Sequence, residues 1–392
     1  MRMRRSTAHA MYLFGISVAF GAGAWAQNKP KLPKPVPMDS GVQMQRDQKT
    51  GELVFRYPKT GEATTAEMPR NTPAVLRVRV NLVEVGCNVF APDGTAVRGI
   101  PRSDFHIFQD GVEQNLTHFD ASSQGASIAL IMDASPSVLP DTDAMKAAGK
   151  QLIANLSPAD QVAVVEFAEH TFLLLPFSRN RELLQKAIAR VDVRGLFSQA
   201  IGSNIYRSVY LAADELFPGH TGRKAIILLT DGQDSGLGLN LDGEGVWLRP
   251  GDPANRVTLE DVVRALSSQG IEVYAISTQN RPSIMTPEWL AAHQGDSLVT
   301  PDALTLGIPA YTDFLAELVR RAGGHLYFLN ETRTVANAYR EIIQNLSAQY
   351  TLGYYPPRAN QPGWHSLRVE VRGQGPVRIV HRLAFYESAE LQ

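Results

Sequence analysis

From Val75 the apolar positions alternate with polar ones. Leu76, Val78 and Val80 share one face, and Leu82, Val83, Val85 and Val89 continue the run to a turn at Pro92-Asp93-Gly94. A period of two predicts strand. Phe105, Ile107 and Phe108 then lead into a second turn at Asp110-Gly111, so 75–120 reads as a short all-β segment. The middle of the chain changes character. Apolar runs at Ile128 to Met132, Val162 to Phe167, Phe172 to Phe177, Ala225 to Leu229, Ile271 to Ser277 and His325 to Leu329 predict strands. Between them, Met145, Ala148, Leu152, Ile153 and Leu156 make one stripe at helical spacing, and Leu183 to Val191, Ile205 to Leu216, Leu259 to Leu266, Phe314 to Ala322 and Val335 to Leu346 repeat the pattern.

Strands alternating with helices imply an α/β fold, a doubly wound and mostly parallel sheet with helices on both faces. Ala168-Glu169-His170 is too short for a parallel crossover, so Phe172 to Phe177 is expected to return antiparallel as an edge strand. After Gln349 the chain reverts to β character at Tyr350 to Tyr355, Leu367 to Val371 and Val377 to Phe385. Neither β half has enough strands to bury a face alone. The expected architecture is therefore an α/β domain at 126–346 inserted into a β-sandwich built from both ends of the chain, 75–120 and 349–388.

The first 26 residues stand apart. Arg2, Arg4 and Arg5 precede an apolar run from Met11 to Ala24, and Ala24-Trp25-Ala26 has the small-x-small pattern of a signal-peptidase site. The run is shorter than the ~20 residues that span a bilayer, which favours a cleaved signal peptide at 1–26 over an anchor. The expectation is an exported protein, in the periplasm, at the cell surface or outside the cell, with no stable membrane span after cleavage. Residues 27–74, rich in Lys, Pro, Thr and Gly, read as an extended linker with a short hairpin around Leu53 to Tyr57. Across 392 residues, 38 basic side chains oppose 39 acidic ones, so no basic excess points to nucleic acid. The single cysteine, Cys87, has no partner for an internal disulfide and reads as a buried residue of a strand.

Candidate chemistry lies where strands end. The strand in Ser127 to Ser137 runs into Asp133, Ser135 and Ser137, and the run Ala225 to Leu229 runs into Thr230, Asp231 and Gly232. Hard oxygen donors delivered by two strands to one sheet edge suit Mg²⁺, and ligands of open α/β sheets lie outside the carboxyl ends of the strands. The competing reading is that Ser135 and Ser137 cap the following helix and Asp231 begins a turn.

Asp133-Ala134-Ser135-Pro136-Ser137, Ser203 within Ile201-Gly202-Ser203-Asn204, and Thr230-Asp231-Gly232, in that order on alternating strands and helices, resemble a von Willebrand factor type A domain with its metal-ion-dependent adhesion site. The flanks, Asp104-Phe105 with Gln109 to Gln114 and Tyr350-Thr351-Leu352-Gly353-Tyr354, resemble the bacterial VWFA-related family. The resemblance implies that Ser135, Ser137 and Ser203 ligate Mg²⁺ or Mn²⁺ while Asp133 and Asp231 act largely through water. It further implies a non-catalytic binding or adhesion module whose cation bridges to a carboxylate of a protein or other ligand. Two Gly-rich or Pro-containing insertions, 235–256 and 281–309, follow strands and are expected beside the metal edge.

Two other classes compete. A structural envelope protein would use the cation only to stabilise its fold. A metal-assisted hydrolase would need a base near the cation, yet there is no Gly-x-Ser-x-Gly, His-Glu-x-x-His or Gly-Lys-Ser signature. The histidines are scattered, and none lies within a few residues of a metal-site segment.

Overall fold

The computed structural model describes residues 31–38, 43–46, 53–56, 82–121, 125–192, 203–232, 234, 239–242, 245–248, 257–278, 310–328, 335–356 and 362–387. The expected signal peptide and the insertion 281–309 lie outside the described residues, as does much of 235–256.

The central element is a seven-stranded sheet. It is built from β1 (Val36–Pro37), β8 (Ser127–Asp133), β9 (Gln161–Phe167), β10 (Thr171–Ser178), β11 (Lys224–Thr230), β14 (Ile271–Ser277) and β15 (Leu326–Phe328). Their order is β1-β10-β9-β8-β11-β14-β15. The five strands from β9 to β15 run parallel, and β10 and β1 pair antiparallel at the other side. Continuous apolar runs fit this position, because both faces are covered. Helices α3 (Ile205–Leu216), α4 (Leu259–Gln269) and α5 (Ala310–Ala322) pack Val209, Val262 and Leu318 on one face. On the other face α1 (Thr142–Asn155), α2 (Arg181–Arg190) and α6 (Val335–Ala348) pack Leu152, Ile188 and Ile342.

Local chemistry sets the ends of several helices. Asn180 accepts from the backbone N–H of Glu182 and Leu183 at the start of α2, and Thr258 and Asp261 form a reciprocal capping box at the start of α4. Gly270 closes α4 at φ 63°, a left-handed conformation that suits glycine.

The β segments before and after the α/β region form two four-stranded antiparallel sheets. One has the order β18 (Arg378–His381), β4 (Val83–Phe90), β16 (Tyr350–Tyr354), β7 (His118–Asp120). The other runs β19 (Ala384–Glu387), β17 (Gly363–Val371), β5 (Phe105–Gln109), β6 (Val112–Gln114). Val85, Cys87, Ile107, Leu352, Val369 and Phe385 meet in one core between them. This is the sandwich that neither chain half makes alone. Two separate two-stranded ribbons, β2 (Gln43–Arg46) with β3 (Leu53–Arg56) and β12 (Leu239–Asp242) with β13 (Gly245–Leu248), complete the described strands.

One expectation is corrected. The run Phe172 to Phe177, observed as β10, does return antiparallel to β9, but it is not the edge of the sheet. Val36 pairs with Leu173 and Pro37 with Phe172, and the Met38 N–H donates to Thr171 O at 2.9 Å. Leu32 and Met38 pack into the cores on opposite faces, and the Arg190 guanidinium donates to Pro33 O at 2.9 Å. Part of the Lys/Pro-rich segment is therefore a strap on the sheet. A two-residue strand has no alternation to read, and proline is tolerated in such an outermost position because no further strand needs its missing N–H.

Candidate functional site

The parallel strands change direction of winding between β8 and β11. From β8 the chain moves to β9 on one side, whereas β11 lies on the other side of β8. Such a switch point leaves a crevice beyond the strand ends, and Asp133 closes β8 while Thr230 closes β11.

Asp133 is the hub of the described geometry. Its Oδ1 accepts from the backbone N–H of Ser135 at 2.9 Å, and its Oδ2 accepts from Thr230 Oγ1 at 2.6 Å. The Thr230 hydroxyl oxygen is held in turn by the Gly232 N–H at 3.0 Å. Ser135 Oγ lies 3.1 Å from Ser137 Oγ, so the two serines turn toward each other across Pro136. Ser135 precedes a 3-10 turn over Pro136–Asp141 but makes no side-chain cap bond there. The capping alternative for Ser135 therefore has no bond to support it.

Asp231 follows Thr230 directly and is 1% exposed, as is Asp133. Burial, reinforced by the charge of Asp231, pushes the Asp133 carboxyl up to about 7, against hydrogen bonds from Ser135 and Thr230 that pull it down. Two buried carboxylates thus repel each other at the switch point.

Ser203 reaches the same edge from a third segment. The Asn204 N–H donates to Ala168 O at 2.9 Å and its side-chain amide to Glu169 O at 2.7 Å. Those carbonyls lie just past β9, whose Phe167 is the register partner of Asp133 and accepts from the Ala134 N–H at 2.7 Å. Ser203 is 5% exposed, and α3 begins two residues later. The hydrogen bonds thus join the segments of Asp133, Ser135, Ser137 and Thr230-Asp231 directly, and tether the segment of Ser203 one strand away.

Three neighbouring residues were not in the sequence-derived set. Thr230 spends its hydroxyl on orienting Asp133, a role that depends on β8 and β11 being adjacent. Asp234 accepts from the Tyr206 N–H at 3.0 Å and so fastens the start of α3 to the segment after Asp231. Glu166, paired with Met132 in the next strand, is a buried carboxylate that accepts from the Asp192 N–H at 3.3 Å. An acid inside the apolar run Val162 to Phe167 was the available signal for it.

Among the described residues no group of three or more His, Cys, Asp or Glu side chains is placed to hold a metal ion. The set here is of another kind, two carboxylates with serine hydroxyls. Its all-oxygen chemistry fits a hard divalent cation, and the like charges of Asp133 and Asp231 are what a cation would balance.

The family model described as von Willebrand factor type A domain matches residues 127–284. No curated protein matches the chain. Among solved structures it is similar to an aerotolerance-related membrane protein from Bacteroides fragilis, at 17% identity and TM-score 0.37 over 57% of this chain and 98% of that one. It is similar to von Willebrand factor type A from Catenulispora acidiphila, at 14% identity and TM-score 0.39 over 77% and 76%. A third likeness is to proximal thread matrix protein 1 from the mussel byssus, described with a zinc-occupied MIDAS motif, at 19% identity and TM-score 0.38 over 61% and 48%. The winding of the sheet and the chemistry at its switch point agree with the matched span, and residues 127–284 are matched as a von Willebrand factor type A domain.

Proposed function

We propose that the chain is an exported, non-catalytic binding module that holds Mg²⁺ or Mn²⁺ at Asp133, Ser135, Ser137, Ser203 and Asp231 and presents it to a carboxylate of a protein or other ligand. The observation that carries the reading is the pair of buried carboxylates, Asp133 and Asp231, set beside serine hydroxyls at the switch point of a type A domain. Neutral hydroxyls donate electron density without cancelling the ion's charge, so a cation held by them retains affinity for an outside anion. Export rests on the Arg-led apolar segment at the start of the sequence.

The test is calorimetric titration of the full chain with Mg²⁺ and with Mn²⁺, followed by capture of partners from an envelope extract with and without chelator. Saturable binding that is lost in the Ser135→Ala, Ser137→Ala double variant supports the reading. Equal affinity in the variant contradicts it. Metal binding without any chelator-sensitive partner would leave the structural role as the answer.

A further inference from the structure

The opposite edge of the seven-stranded sheet is where the type A domain meets the sandwich, and the contact is built from polar groups. Glu272, the second residue of β14, is 6% exposed. Tyr274 Oη donates to its Oε2 at 2.8 Å, and Gln349, the one residue between α6 and β16, donates through Nε2 to its Oε1. From the sandwich, β4 lays Gly86 directly on this carboxylate and on the Gln349 amide, so closely that a Cβ would collide with both. Asn88, also on β4, hydrogen-bonds Tyr274.

Charged and titratable groups stand around the cluster. Among them is His381 of β18, the register partner of Cys87, whose ring is pushed down by burial so that it stays neutral where Glu272 titrates. Arg382, from the turn between β18 and β19, donates to Ser267 O at the end of α4 and, at 2.6 Å, to Glu84 O in β4. Lys224 at the start of β11 places Nζ 3.6 Å from Glu84 Oε2. Arg223 donates to Leu346 O in α6. The Cys87 thiol of β4 feels the Glu272 charge and is itself pushed up, mainly by burial. Around Glu272, burial outweighs the cations and donors. It raises the carboxyl to about 7, although Tyr274, Gln349, Arg382 and Arg223 all pull it down.

We propose that Glu272 makes the joint between the two domains proton-linked, so that the sandwich docks on the type A domain with uptake of a proton by this carboxyl and loosens as that proton is lost. When the joint opens, water reaches Glu272 and its carboxyl returns toward the ordinary value of about 4.3. Below that value both states are protonated and docking is at full strength. Between it and about 7 only the docked state retains the proton, so docking weakens as pH rises, by up to about tenfold per pH unit. Above that range both states are ionised and the dependence ends.

Hydrogen exchange on the full chain between pH 5 and pH 8, corrected for intrinsic rates, reads the joint through the amides of β4 and the start of β14. Amides of β9, remote from the joint, report global opening, in which Asp133 also takes part. The expected result is a loss of protection at the joint in excess of β9 as pH rises to 7, then a plateau. Glu272→Gln should remove the excess. Tyr274→Phe, which deletes a donor to the charged form, should extend the decline to higher pH. Wild-type protection at the joint that merely tracks β9, or an excess retained in Glu272→Gln, would overturn the proposal. Should Glu272→Gln not fold, an unshifted profile in Tyr274→Phe would overturn it.

Discussion

At the scale of single residues, Asp133 is the group on which the site turns. Its carboxyl is held up at about 7 by burial and by Asp231. In the absence of metal the folded state therefore binds a proton that the unfolded chain, with an ordinary carboxyl near 3.9, has released. Stability is unaffected by this group below about 4 and declines as pH rises from there through about 7. Asp133→Asn should flatten that component and raise the melting temperature of the metal-free protein at pH 8 relative to wild type, as thermal melts across pH would show. Thr230→Val removes the 2.6 Å bond to Asp133 and leaves the Gly232 N–H without its acceptor. A cost of about 1–3 kcal/mol is expected, together with weaker Mg²⁺ binding in calorimetry, because Asp133 is no longer oriented. That Asp133, Ser135, Ser137 and Asp231 stand at or after strand ends was legible in the sequence, because each comes after an apolar run. The role of Thr230 was not, since it depends on two strands about a hundred residues apart lying side by side.

At the scale of elements, periodicity exposed what is buried on a regular face. Strands β8, β9, β10, β11 and β14 and the stripes of α1 and α3 are continuous apolar patterns, and they stand where the sequence reading put them. The strap β1 escaped that reading because two residues have no period, one of the two is Pro37, and Pro35 precedes them. Its attachment rests on side chains instead, Leu32, Val36 and Met38 against the two cores. Met38 is 5% exposed, so Met38→Ala should cost about 2–5 kcal/mol if the cavity stays open. Hydrogen exchange should show the loss first at β10, whose outer edge the strap covers. Unchanged protection of Thr171 to Leu175 in that variant would mean the strap contributes nothing to the edge.

At the scale of the whole molecule, the two ends of one sheet present different chemistry. Asp133 closes β8, and Ser135 and Asp231 lie past the carboxyl ends of β8 and β11, whereas Lys224 and Glu272, at the beginnings of β11 and β14, meet the sandwich. A substitution at the joint should therefore leave cation affinity unchanged, and metal titration of Glu272→Gln would check this. The central claim is that the carboxylate pair exists to hold a cation, and paired thermal melts with Mg²⁺ and with chelator test it most directly in wild type and Asp231→Ala. The account predicts that Mg²⁺ at a hundred times its dissociation constant stabilises the wild type by about 2.7 kcal/mol. Asp231→Ala should gain nothing from the ion while being no less stable than wild type in chelator. An equal Mg²⁺-dependent rise in both proteins would contradict the account.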